Sequence, residues 1–399
     1  MSEADRLQTP NRGGVGAGVL AGTADPPKAA QSHPLYFINA PLDYALVGML
    51  SIVAFAVLYG LNKTERTMTV ITLAARLAWV CNWPHFSATS YRLYHSKDNI
   101  RQYPLTALVV PWLVLAGVFG SIISPTTIAP CFVMIFLIWS PYHFSGQTVG
   151  VSMIYARRAG FFVGKLERLA LSGFVFGTYL TQTIRSQVDA RTLDYYKIEY
   201  TNLGLPVWTA MVCEIWMYLC LALLILLVVR WCIQNRRILP PIVLLPAAAQ
   251  YTWFVLGSQV PSFNEFVPFF HSMQYLLIAW SMQLKEKLDR EHIQPSTSYV
   301  THETVRWGLL NVCGGIFLFW IFPYSLNYFF GVNEMLALGV TAAGVQIHHF
   351  FVDGVIWKLK RKTVASPLMV NISELLSPPG SAPAVSVVSA PALSMEQKA

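Results

Sequence analysis

Stretches of about 20 apolar residues recur along this chain, and few architectures accept them, because that is the length a helix needs to cross the hydrocarbon core of a bilayer. Ten such stretches are legible, over approximately residues 42–61, 67–91, 104–124, 127–155, 166–184, 207–229, 239–258, 265–284, 307–331 and 334–357. Only 12% of the 399 residues are charged and 54% are hydrophobic, whereas soluble domains carry about a quarter charged residues. The expected fold class is all-α, a polytopic transmembrane bundle of about ten spans over residues 42–362. Its expected location is a bacterial inner membrane.

The ends read differently. Residues 1–41 are rich in Gly, Ala and Pro and have no apolar core of signal-peptide type, so they are expected to form a disordered leader. Residues 363–399, rich in Pro, Ser, Ala and Val, are expected to form a disordered tail. With a cytoplasmic N-terminus, 22 Lys and Arg residues fall in inner segments, and five (Lys63, Arg66, Arg185, Arg191, Lys197) fall in outer loops. That bias is the one expected when both termini are cytoplasmic. It also accounts for the net charge of +8 without a nucleic-acid partner. Six scattered cysteines, with no C-x-x-C pair, read as small apolar residues.

Ionisable residues inside spans are costly and mark function or pairing. Four segments carry a histidine in apolar surroundings: Trp83-Pro84-His85-Phe86-Ser87, Pro141-Tyr142-His143-Phe144-Ser145-Gly146-Gln147, Pro268-Phe269-Phe270-His271-Ser272-Met273-Gln274 and Gln346-Ile347-His348-His349-Phe350-Phe351-Val352-Asp353. They lie on spans two, four, eight and ten, which all run in one direction. The next basic residue at the cytoplasmic end follows after 7, 14, 14 and 9 residues (Arg92, Arg157, Lys285, Lys358). At a rise of about 1.5 Å per residue these are depths of roughly 10 to 21 Å, so the imidazoles can meet in one layer.

His349 and Asp353, four residues apart, share a helix face. His348 points about 100° away, toward a second ligand position or a hydrogen bond. The expected metal ligands are His85, His143, His271, His349 and Asp353, with Asp353 and His348 as catalytic candidates. Gln147, Gln274, Gln346, Ser87 and Ser145 are placed to orient the imidazoles from behind. Imidazole plus carboxylate suits a first-row divalent metal, iron being the usual choice for oxygen chemistry, as one or two ions. Arg76 and Glu214 are both costly in lipid and read as structural, a cost that pairing would relieve for both and water for Glu214 near the outer end of its span, and Asp43 and Glu265 are expected at the interfaces.

At Pro84-His85 and His143-Phe144-Ser145-Gly146 the chain resembles the Brp/Blh-type carotene-cleaving membrane oxygenases. The resemblance covers these short motifs only, and it implies single histidines on separate helices around iron. The H-x-x-x-H and H-x-x-H-H boxes of fatty-acid desaturases and hydroxylases are absent from the sequence. The expected function is that of an intramembrane metal-dependent oxidoreductase using dioxygen on a lipid or isoprenoid substrate, with an electron donor as a further partner. Two alternatives stand beside it: a transporter with a histidine and carboxylate relay for protons or cations, and metal-free acyl transfer to a lipid with one histidine as general base.

Overall fold

The computed structural model describes residues 35–61, 67–161, 163–260, 263–293, 296–357 and 372. Most of the expected leader and tail lies outside these residues. Phe37, at the end of the leader, is fully buried, and its carbonyl accepts from the N–H of Ile372 at 3.0 Å.

The long helices follow the apolar stretches. We number them α1 (Ala40–Leu61), α2 (residues 67–94), α3 (Leu105–Ile123), α4 (Ile128–Arg158), α5 (Lys165–Ser186), α6 (Val207–Asn235), α7 (residues 245–259), α8 (Val267–Glu291), α9 (Thr297–Phe330) and α10 (Glu334–Ile356). Each of the ten expected stretches falls on helix. Six of them, α1, α3, α4, α6, α9 and α10, are long and apolar enough to cross a membrane. These are the dimensions of an integral membrane protein. The remaining four are shorter or more polar. In α8 the polar residues His271, Ser272, Gln274, Ser281 and Gln283 are all buried, so protein rather than lipid surrounds them.

α10 is the axis of the site. Its first turns are small (Ala337, Gly339, Ala343, Gly344), which lets α3, α4, the end of α9 and α2 pack close around it. Elsewhere α9 presses on α2 at Gly315, where an added Cβ would lie 2.7 Å from the Trp83 carbonyl carbon. This contact holds the turn just before His85. Pro268 stands at the start of α8, where a missing N–H costs little, while Pro84 follows a π-helical turn (Ala78–Asn82) inside α2 and Pro141 lies inside α4.

Between α5 and α6 an antiparallel hairpin pairs β1 (Thr192–Tyr195) with β2 (Ile198–Thr201), Leu193 opposite Tyr200. Asn202 fastens its base, donating to the carbonyls of Ser186, Val188 and Asp189 at 3.1, 3.2 and 2.7 Å. The tip lies on α10: a Cβ at Gly339 would be 2.9 Å from both Ile198 Cδ1 and Tyr196 Cβ. Burial raises the phenol pKa values of Tyr195 and Tyr196, so both remain neutral hydrogen-bonding groups.

Two polar residues near span ends find protein partners. Asp43 is fully buried in the protein: its carboxylate accepts from the N–H groups of Phe37 (2.6 Å) and Ile38 (3.0 Å) and from the Tyr155 hydroxyl (2.8 Å). Glu214 pairs with Arg185 at 2.6 Å rather than with Arg76, which is exposed. The Arg185 pairing lies across the adjacent helices α5 and α6, a neighbour relation that apolar patterning alone does not encode.

Candidate metal centre

Four helices each deliver one imidazole to a common point. His85 from α2, His143 from α4, His271 from α8 and His349 from α10 each present a ligand nitrogen, and these four atoms all lie within 4.8 Å of one another. His349 Nε2 lies 3.0 Å from the Nε2 atoms of both His85 and His143. His85, His271 and His349 are at most 1% exposed. The His143 side chain is 9% exposed, so it alone of the four looks outward.

Neutral imidazole has one N–H and one lone pair. His349 Nε2 faces two other Nε2 atoms, while both nitrogens of His271 and the Nδ1 atoms of His85 and His349 have no hydrogen-bond partner among the described residues. Each unpaired buried polar atom costs about 1–3 kcal/mol, so four imidazoles gathered without compensation would oppose folding. A cation accepting the four inward lone pairs removes the clash between the facing nitrogens, while the outward Nδ1 atoms of His85 and His349 stay unpaired among the described residues. Ligand nitrogens at right angles and about 2.1 Å from one ion are about 3.0 Å apart, which is the observed separation of His349 from its two neighbours. The donor set fits a metal ion.

Asp353 stands beside this set, not in it. Its Oδ2 lies 3.5 Å from His349 Nε2 and 3.7 Å from His143 Nε2. Oδ1 lies 3.1 Å from Thr89 Oγ1, 3.2 Å from Trp357 Nε1 and 3.4 Å from the Tyr275 hydroxyl. Because the Thr89 and Tyr275 hydroxyls also bond each other at 2.5 Å, one of their two protons links the pair and the other, with the Trp357 N–H, holds Oδ1 while Oδ2 faces the imidazoles. Neither Thr89, Tyr275 nor Trp357 was expected from the sequence; Thr89 lies four residues after His85 and Tyr275 four after His271, on the same helix faces, and that spacing was the available signal.

His348, a catalytic candidate by sequence, does not reach the centre. It stacks on Tyr94 with an interplanar angle of 8°, its Nε2 lying 3.3 Å from the Tyr94 hydroxyl. The 100° turn between adjacent helical residues separates the two histidines.

The residues expected to orient the imidazoles do something else. Gln147 donates to the His271 backbone carbonyl at 2.9 Å, and Gln274 donates to the Val47 carbonyl. Ser145 bonds the Pro141 carbonyl and receives Gln250 Nε2 at 2.8 Å, tying α4 to α7 beside the proline. Ser87 packs against Gly314 of α9, where a Cβ would lie 2.2 Å from its Oγ. Gln346 lines a separate vestibule.

Aromatic packing sets the ring planes instead. Tyr275 meets His85 edge-on with centroids 4.1 Å apart, Phe86 meets His349 edge-on at 4.8 Å, Phe144 stacks on His271 at 4.0 Å and Phe350 stacks on His143 at 4.9 Å.

Two cavities flank the layer. One, of about 300 Å³, is lined mainly by apolar side chains and reaches both His143 and Asp353. The other, of about 600 Å³, lies beneath the hairpin, with Tyr195, Tyr196, Gln187, Asn82 and Gln346 among its walls. No family model, curated protein or solved structure matches this chain, so its chemistry is read from the site itself.

Proposed function

We propose that this chain is an intramembrane metal-dependent oxidoreductase that holds one iron ion on His85, His143, His271 and His349 and uses dioxygen on a lipid or isoprenoid substrate. The observation that carries this reading is the junction of four convergent buried imidazoles with an apolar cavity that touches only the least buried of them, His143, and the adjacent Asp353. Iron, when bound, supplies the binding and activation of dioxygen. Electrons for its reduction come from the substrate or from a donor protein.

This chain's own residues do the rest. The imidazoles fix the ligand set on four separate helices, so the site exists only in the assembled bundle. Asp353, its Oδ1 held by the Trp357 N–H and the linked Thr89 and Tyr275 hydroxyls, keeps Oδ2 aimed at the ligands and places negative charge beside a cation. The aromatic packing excludes water and orients the rings. We further infer ten spans with both termini cytoplasmic, in a bacterial inner membrane, from the Lys and Arg distribution and the ten helical stretches.

A transporter is the second reading, and the observation favouring it is the pair of cavities on either side of the histidine layer. The test separates the two. Metal analysis of purified protein is expected to give one equivalent of iron, with oxygen uptake that depends on added membrane-lipid extract. Metal-free protein that drives ion-dependent uptake in proteoliposomes would overturn the oxidoreductase reading.

A further inference from the structure

Glycine inside a helix is unfavourable relative to alanine, and it is usually retained where another part of the protein approaches too closely for a Cβ. Much of this molecule follows that rule, as at Gly315 against Trp83 and Gly344 against Val118. Gly146, Gly150 and Gly354 do not. A Cβ built at any of the three meets no atom within 4 Å, so packing against the protein does not require glycine there. All three line the same cavity, the one that reaches His143 and Asp353. Gly60 and Gly308 also face open space, but neither borders this cavity.

The three positions are on the two helices that supply the reacting groups. Gly146 and Gly150 are one turn apart on α4, following His143, and Gly354 follows Asp353 on α10. Gly146 and Gly354 are exposed on the outer surface of the bundle, whereas His143 and Asp353 are buried behind them. The gap therefore leads from the outer surface of the bundle to the centre.

A second apolar recess of about 380 Å³ lies along the preceding turns of α4, lined by Met134, Ile135, Ile138 and Tyr179, and shares Trp139 and Tyr142 with the first. From Met134 to Ile154 the two recesses follow α4 for 20 residues, about 30 Å, the thickness of the hydrocarbon core.

We propose that Gly146, Gly150 and Gly354 form a lateral portal that admits a long hydrocarbon chain from the bilayer and lays it along α4, with Trp139 and Tyr142 dividing the two chambers it occupies. The proposal deepens the functional reading above and rests on it for the role of His143 and Asp353. The occupant is a slender chain of membrane length, either an acyl chain or an isoprenoid. Small residues at the portal set the width that can pass, so these glycines are specificity-determining positions and not metal ligands.

The experiment is photo-labelling of the full chain in detergent micelles, with mass-spectrometric mapping of the labelled peptides. Two probes separate the sources: a diazirine-bearing hexadecanol and a diazirine-bearing geranylgeraniol. At least one is expected to label α4 between Met134 and Ile154. Gly150→Leu and Gly354→Leu are expected to reduce that labelling at least five-fold while the protein's iron content and melting temperature hold. Gly146→Ala and Gly150→Ala are expected to melt no lower than wild type, because their Cβ atoms displace nothing.

Labelling that stays at the wild-type level in both leucine variants, or that falls only on other helices, overturns the portal. Iron content is read on the same samples. If wild type labels on α4 but holds no metal, the portal stands and the oxidoreductase reading falls.

Discussion

Two buried polar clusters in this protein are built on opposite terms. Around Asp43 every demand is met: one carboxylate receives two backbone N–H groups and a tyrosine hydroxyl at 2.6–3.0 Å, and Arg158 lies over the neighbouring Phe37 ring at 3.9 Å. Around His349 the demands are unmet, with nitrogens aimed at one another and others unpaired among the described residues. The first is a latch that fixes residues 35–39 against α4. The second is a set of nitrogens close enough together to hold a metal ion. A satisfied cluster lowers the energy of the fold by itself, whereas an unsatisfied one lowers it only when its ligand arrives.

The contrast breaks or sharpens under substitution. His349→Ala removes the nitrogen shared by two others, and it is expected to weaken metal binding at least about a thousand-fold, roughly 4 kcal/mol, in a competition titration; full stoichiometric metal in this variant would dissolve the distinction. Asp43→Ala leaves three donors unpaired and should lower stability by about 3–5 kcal/mol. Calorimetry checks the loss, and metal content per folded molecule should be unchanged.

Asp353→Asn keeps the acceptor for Thr89 and Trp357 but removes the charge beside the centre. A 10- to 100-fold weaker metal affinity is expected, typical of a lost supporting contact, and wild-type affinity would show that Oδ2 is irrelevant to the ion. His348→Ala is the smallest. It loses only the stack on Tyr94, and metal content is expected to match wild type; a fall to half or less would place His348 back in the ligand set.

Much of the architecture was legible because its cause is local. Twenty apolar residues in a row have the same meaning wherever they occur, and each of the ten stretches falls on helix. The histidine layer was legible for a related reason, since residue counts convert directly into depth along a helix. His85, His143, His271 and His349 were placed together by that conversion alone, and they do converge. What surrounds them was not readable. Glutamines and serines close in sequence looked like natural supports for the imidazoles, yet the rings are held by Phe86, Phe144, Tyr275 and Phe350. Sequence distance gives height on a helix but not which neighbouring helix a side chain faces.

By itself, then, the sequence determined the mainly helical, membrane-type build, the positions of the helical stretches and the shared height of four imidazoles along their helices, because apolar run length and helical rise are properties of a single segment. Tertiary structure decided the rest. Rotation of each helix about its axis brought His349 in and turned His348 out. Packing of α4 against α10 made Asp353 a neighbour of the histidines and left the gap at Gly146, Gly150 and Gly354 open. Those outcomes depend on contacts between residues as far apart as His85 and His349, which no local pattern encodes.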